Sequence, residues 1–228
     1  MIELVVFDMA GTTVDEDNVV YKTVRAAINA AGYAFTQEQV QTAGAGKEKS
    51  QAIHDVLALD GNDHSAEEVA TIFANFKQQL ASAYATLEVR EQPGASAVFS
   101  SLRGQNIKVV LNTGYDRSTA EGLLKKLGWE IGKDIDALVT ASDVANGRPA
   151  ADMIEKAMEI TGIRTSRSVV KIGDSQIDIE EGQNADCAIT LGITTGAQTE
   201  QQLSESNPTA IIHHLSELLE LIKTHRPT

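Results

Sequence analysis

Basic residues, cysteines and long apolar runs are all scarce in this chain, and each shortage removes a class of protein. The 228 residues carry 19 Lys and Arg against 32 Asp and Glu, a formal net charge of −13. No basic stripe is available to meet a phosphate backbone, so a nucleic-acid partner is not expected. Any anionic ligand must therefore be met by positive charge gathered locally. A single cysteine, Cys187, excludes an internal disulfide and suits a reducing compartment. Between Ala185 and Ala188 it reads as a small buried hydrophobe. No apolar run approaches the roughly 18 to 20 residues of a membrane span, and no charged-then-apolar leader precedes the first strand. A cytoplasmic protein with no membrane partner is the expectation. Internal repeats and low-complexity segments are absent as well.

With 42% hydrophobic residues, the chain can bury one sizeable core and a smaller unit beside it. The first apolar run, Ile2 to Phe7, stops at Asp8 and turns through Met9-Ala10-Gly11-Thr12-Thr13-Val14-Asp15. A β-branched run of this kind reads as a buried parallel strand that delivers one acid to its C-terminal edge, where open α/β sheets bind ligands. Helical spacing then takes over. Val19, Val20, Val24, Ala27, Ile28 and Ala31 share one face, with Gly32 as a stop. Thr36 caps a short helix to Thr42, Ser50 to Leu59 is helical in period, and Ser65 caps a long run to Leu87. No strand is expected between Asp15 and Glu88. From Pro93 onward, strands at 107–112, 137–140, 168–172, 187–191 and 209–212 alternate with helices, including one with Pro149 at its first position. The tail, 224–228, is polar and should fray.

The expected fold class is α/β: a doubly wound, Rossmann-like parallel sheet core with an inserted all-helical cap domain. The core would comprise residues 1–15 and 91–228, the cap residues 16–90. Hinges are expected near Asp15–Asn18 and Glu88–Gly94. The apolar face from Val19 to Ile28 could be satisfied within the cap or by a second copy, a homodimer.

Three stretches gather around the first strand's acid. Val109 to Asn112 ends in Thr113-Gly114-Tyr115. Gly147-Arg148-Pro149 supplies a cation. Val169 to Ile172 runs into Gly173-Asp174-Ser175-Gln176-Ile177-Asp178. Asp174 could be a turn residue and Asp178 a helix-surface charge, or the two could join Asp8 in a set of hard oxygen ligands suited to Mg²⁺. Thr113 with the Gly114 amide has the geometry of a phosphate cradle, although Thr113 could equally cap the helix that follows. Together, in this order, these stretches resemble the four motifs of the haloacid dehalogenase-like superfamily. Within it, Asp-Met-Ala-Gly-Thr-Thr-Val-Asp looks most like the phosphonoacetaldehyde hydrolase (phosphonatase) branch, which also carries Ala two residues after the nucleophile and Arg in place of Lys.

The resemblance implies roles for these residues. Asp8 would be the nucleophile, Thr113 and Arg148 catalytic, and Thr12, Gly114, Tyr115 and Arg148 would bind the phosphoryl group. Asp8, Asp174, Asp178 and the Ala10 carbonyl would hold Mg²⁺. Ala10 is the informative departure from ordinary phosphatases of this superfamily, where an Asp protonates the leaving alkoxide, an effect worth roughly 10² to 10⁴ in rate. The phosphonatase branch instead uses a cap lysine, three residues after a Gly, that forms a Schiff base with an aldehyde. Gly44 to Lys47 reproduces that spacing, with Lys49 nearby to lower its pKa. The branch's Met and His are Ala43 and Ser50 here, and His54 lies roughly 10 Å further along the helix. Lys47 thus reads as a Schiff-base lysine or as an anion clamp. The other histidines, His64, His213, His214 and His225, show no metal-ligand spacing, and zinc is not expected. The expected activity is Mg²⁺-dependent hydrolysis of a small phosphonate or phosphorylated metabolite through an aspartyl-phosphate. A phosphoglycolate-phosphatase-like phosphomonoesterase and a non-catalytic phosphate-metabolite binder are the alternatives.

Overall fold

The computed structural model describes residues 1–224. His225 and the rest of the expected frayed tail lie outside the described residues. Six parallel strands form one sheet in the order β5-β4-β1-β6-β7-β8. They are β1 (Leu4–Asp8), β4 (Lys108–Thr113), β5 (Ala137–Thr140), β6 (Val169–Gly173), β7 (Ile189–Ile193) and β8 (Ala210–Ile212). The central strand β1 pairs with β4 on one side and β6 on the other, so all five of its residues are buried. Alternation along it sorts the core. Val5 and Phe7 join Phe99 and Leu102 of α5 (Ala95–Gly104) and Leu123 of α6 (Arg117–Leu127). Leu4 and Val6 join Met153, Ile154 and Ala157 of α7 (Asp152–Thr161). Phe7, Phe99 and Trp129 stack edge to face with centroids 5.3 and 5.1 Å apart, each pair worth about 1 kcal/mol beyond area. Cys187 packs in the α7 layer as expected, and burial pushes its thiol up to about 12.

Four helices intervene between β1 and the rest of the sheet: α1 (Val19–Ala30), α2 (Gln37–Gly44), α3 (Lys49–Leu57) and α4 (Ala66–Thr86). The apolar face of α1 is satisfied inside the chain, with Val20, Val24, Ala27 and Ile28 clustered with Val69, Ile72, Phe76 and Leu80 of α4. Thr36 closes a capping box with Gln39, and Ser65 accepts from the Glu68 amide, both at the expected starts.

Two features differ from the sequence-based expectation. The linkers into and out of the helical block pair as a small antiparallel ribbon, β2 (Val14–Asp15) with β3 (Arg90–Glu91). Strands of two residues carry no alternation to read. Pro149 does not open a helix. The Ala150 amide turns back to the Gly147 carbonyl at 3.1 Å, and Asp152 accepts from the Asn146 backbone at 3.1 Å, so α7 starts later. Arg148 therefore reaches the sheet edge from a loop. The remaining short helices are α8 (Gln176–Asn184), α9 (Glu200–Ser204) and α10 (Glu217–Thr224).

Between the ribbon and α1, Asp17 and Asn18 both adopt left-handed backbone, at φ 52° and 55°. Such a conformation costs about 1 to 2 kcal/mol for an ordinary L-residue and almost nothing for glycine. Asn18→Val should destabilise the protein by about that amount, while Asn18→Gly should leave it within a few tenths of a kcal/mol. Urea unfolding of the two variants checks this, and equal midpoints would show that the turn relaxes freely.

Candidate active site

The strand order decides what meets at the C-terminal edge. β1 ends on Asp8, its neighbour β4 ends on Thr113, and its other neighbour β6 leads into Asp174. After Asp8 the chain folds back on itself, with the amides of Thr12, Thr13 and Val14 all turned to the Met9 carbonyl at 2.8–3.2 Å. Thr13 Oγ1 donates to the Asp8 carbonyl at 2.9 Å and fixes the end of the strand. Gly11, at φ 77°, lies against Asp174: a Cβ there would sit 2.2 Å from the carboxylate. Gly196 approaches the other side so closely that its Cβ would also overlap Asp174, whose Oδ2 accepts from the Ala197 amide at 2.6 Å.

Oxygen atoms of Asp8, Asp174 and Asp178 lie within 4.8 Å of one another, and all three residues are buried. Arg148 ties two of them together. Its Nη1 stands 2.8 Å from Asp8 Oδ1 and 2.9 Å from Asp178 Oδ1, its Nε 3.0 Å from Glu181 Oε2, and its Nη2 2.8 Å from Asn112 Oδ1. Lys171, fully buried on β6, adds a second cation at 2.9 Å from Asp178, 3.1 Å from Glu181 and 2.8 Å from Asn112. Burial pushes Asp8 above the usual carboxylate range against the pull of Arg148. Asp174 is pushed up by burial and then by the charges of Asp8 and Asp178. Asp178 resists the same burial because Arg148 and Lys171 outweigh it, and it stays below.

Seven expected residues, Asp8, Ala10, Thr113, Gly114, Tyr115, Arg148 and Asp174, line one narrow cavity of about 10 Å³. From the helical block, Tyr21 of α1, Gly46 and Lys49 complete its lining. Gly46 touches the core so tightly that a Cβ would stand 2.0 Å from Ile177, while its amide donates to Tyr21 Oη at 2.8 Å. Three expected residues do not line the cavity, and of these Asp178 is fully buried against Arg148 and Lys171. Thr12 is fully buried beneath the turn at Met9 and its hydroxyl has no partner. Lys47 points away, its Nζ 2.6 Å from Asp55. Glu48 is the reason: its carboxylate caps α3 by accepting from the amides of Ser50 and Gln51 at 2.8 and 3.0 Å. The helix therefore opens on Lys49, and it is Lys49 that lines the cavity, 6% exposed, its Nζ capped by the Lys47 carbonyl. Burial lowers its pKa to about 8, Asp8 opposing and Arg148 assisting.

A family model for haloacid dehalogenase-like hydrolases matches residues 2–186. The chain belongs to that family. The phosphonoacetaldehyde hydrolase of Lactiplantibacillus plantarum is 34% identical over 215 residues, covering 86% of this chain and 77% of that one. Among solved structures, a phosphonoacetaldehyde hydrolase-like protein from Oleispira antarctica superposes with a TM-score of 0.83 at 24% identity, covering 97% of this chain and 91% of the other. A hydrolase from Pseudomonas syringae gives 0.85 at 20% identity over 99% of this chain and 100% of that one.

In this hydrolase, sequence reasoning passed over Asn112, Lys171 and Glu181. Lys171 carried a signal, since a lysine inside the apolar strand Val169–Gly173 has no water to reach. The core site sets four buried carboxylates, Asp8, Asp174, Asp178 and Glu181, against two buried cations, Arg148 and Lys171. With all of them ionised, two negative charges remain. One divalent cation on hard oxygen donors would balance them, so the residues fit Mg²⁺.

Mg²⁺ should therefore raise the melting temperature of the protein in a concentration-dependent way. Asp174→Asn should melt at or above the wild-type temperature without divalent cations, because it removes one of the mutually repelling acids, and should lose the Mg²⁺ shift. Calorimetric melts with and without Mg²⁺ check both, and a wild type indifferent to the ion would refute the metal assignment.

Proposed function

We propose that the protein is a Mg²⁺-dependent hydrolase of a small phosphonate or phosphorylated metabolite, phosphonatase-like, with Asp8 as nucleophile and Lys49 as the cap lysine. The observation that carries this is the buried amine of Lys49 in the same closed cavity as Asp8, Thr113 and Arg148, where Ala10 offers no proton. The naming of relatives as phosphonoacetaldehyde hydrolases supports the same choice of substrate class.

Arg148 holds Asp8 Oδ1 and leaves the second carboxylate oxygen to attack phosphorus in line with the leaving carbon. Thr113 Oγ1, which accepts from the Tyr115 amide at 3.2 Å, is thereby turned to donate its proton toward a phosphoryl oxygen. Mg²⁺ held by Asp8, Asp174, Asp178 and the Ala10 carbonyl would screen the nucleophile from the phosphoryl oxygens. Lys49, as the free amine, adds to the substrate carbonyl and loses water to give an iminium. The O–P bond to Asp8 then forms as the C–P bond breaks, and the electron pair moves onto the iminium nitrogen as an enamine. Water cleaves the aspartyl-phosphate; the enamine carbon takes up a proton to restore an iminium, to which water adds, releasing the aldehyde and freeing Lys49.

A second role for Lys49 is favoured by one observation. The position three residues after it is Ala52, buried and apolar, where the branch carries a histidine. On that ground Lys49 would serve as an anion clamp in a phosphomonoesterase.

Phosphate release from a panel of phosphonates and phosphomonoesters, with Mg²⁺ or excess chelator, tests the class. Asp8→Asn should lower turnover by about 10³-fold or more with the fold intact. Borohydride with phosphonoacetaldehyde should leave its mass on Lys49 and not on Lys47. Because the folded-state pKa is lowered to about 8, the amine is free above that value, so trapping should accelerate with pH and level off beyond it. Absence of any adduct, with Lys49→Ala raising KM alone, would hand the site to the phosphomonoesterase.

A further inference from the structure

One buried acid is left unused by this chemistry. Glu16 follows β2 directly, at the entry to the cap, and is 3% exposed. Three structural elements meet on its carboxylate. Tyr84 of α4 donates its hydroxyl to Oε2. Tyr115, in the loop after β4, directs its own hydroxyl to the same carboxylate, yet that buried hydroxyl makes no well-aligned hydrogen bond. The Val20 amide of α1 is the third neighbour. Lys49 stands over the ring of Tyr115, its Nζ 5.7 Å from the centroid.

The cluster also separates two cavities that flank the closed space over Asp8. Glu16 lines one of about 230 Å³ together with Ala10, Tyr21 and Asp174. Tyr84, Tyr115 and Lys49 line the other, of about 210 Å³. None of these cavities is lined by a histidine. His54 pairs with Asp55, and His64 lies with Asp60 and Glu68, both within the cap.

We propose that Glu16, acting through Tyr115, is the acid–base group that serves Lys49 while its imine forms and breaks down. The inference rests on Lys49 being the imine-forming lysine. Addition of the amine to a carbonyl makes the C–N bond and sends the carbonyl pair to oxygen. That oxygen then needs a proton, the nitrogen must lose one, and a second proton must reach the oxygen before it departs as water and the nitrogen pair closes C=N. Each transfer requires a group that gives a proton and takes it back. Tyr115 lines the cavity that holds Lys49 and its hydroxyl has no partner, so it is the group assigned to exchange the proton with the substrate oxygen, and Glu16 supplies and receives that proton.

Burial raises Glu16 to about 7 against the hydrogen bond from Tyr84, the neighbouring Tyr115 hydroxyl, the Val20 amide and the charge of Lys49. Both forms are therefore populated near neutrality, where a group serving as donor and acceptor is most effective. Tyr84 and Tyr115 are themselves raised, by burial first and by the Glu16 charge second, so they pass protons without ionising. Glu16 is a positioning residue, because it reaches the substrate only through Tyr115.

The test uses Glu16→Gln, which keeps the shape and the acceptor for Tyr84, with phosphonoacetaldehyde as probe. Borohydride trapping at Lys49 should slow by about 10²-fold and lose its inflection near pH 7, while the one near pH 8 remains. Tyr115→Phe should slow trapping to a similar extent, and the double variant should be no slower than either single one. Loss of folding is controlled by melting above pH 7, where Glu16→Gln should be at least as stable as wild type because it removes a buried charge. Wild-type trapping with Glu16→Gln equally fast and unchanged in pH profile would overturn the role of Glu16 and leave Lys49 standing. No adduct in the wild type would overturn the Lys49 assignment and this inference together.

Discussion

The site depends on one buried guanidinium. Arg148 touches Asp8, Asp178, Glu181 and Asn112 at once, and these come from β1, from two turns of α8 and from β4. A planar fork with five donors can serve partners in several directions, which a lysine at that position could not. Its charge outweighs the desolvation of Asp178 and offsets part of that of Asp8. Removing Arg148 would leave buried charges facing one another, so the fold around the edge and the chemistry at it rest on the same contacts.

The core of the site was legible in the sequence, and for a physical reason. A parallel strand buried on both faces has a recognisable apolar run, and its end point fixes where the next side chain goes. Asp8, Thr113 and Asp174 all follow such runs. The block from α1 to α4 was legible as helices but not in detail. Lys47 and Lys49 stand two residues apart, and which one enters the cavity depends on whether Glu48 or a later residue caps α3. Both choices keep a glycine three residues before the lysine, Gly44 or Gly46, so the spacing alone could not separate them. Thr12 looked like part of the phosphate cradle, and only the turn onto the Met9 carbonyl shows that it lies beneath it.

The network behind the site was hidden for a different reason. Lys171 and Glu181 are residues usually found in water, and sequence patterns assign them to a solvated face by default. The place of Lys171 inside an apolar strand was the one hint, and the burial of Glu181 becomes visible only when α8 is placed against Arg148. Glu16 is a similar case. An acid beside Asp15 and Asp17 reads as one more hinge charge, whereas the fold turns it inward between two tyrosines.

The glycine contacts of the cap loop carry a further consequence. A Cβ on Gly114 would meet the carbonyls of Gly46 and Lys47 at 3.2 and 3.1 Å, and the space left over Asp8 is about 10 Å³, room for one water at most. A phosphoryl group is larger than this space. Were substrate to enter by withdrawal of the helical block from the sheet edge, the association rate would be bounded by how often that opening occurs and not by collision frequency. At high substrate concentration the approach to steady state would become independent of concentration, set by a first-order opening of the protein itself.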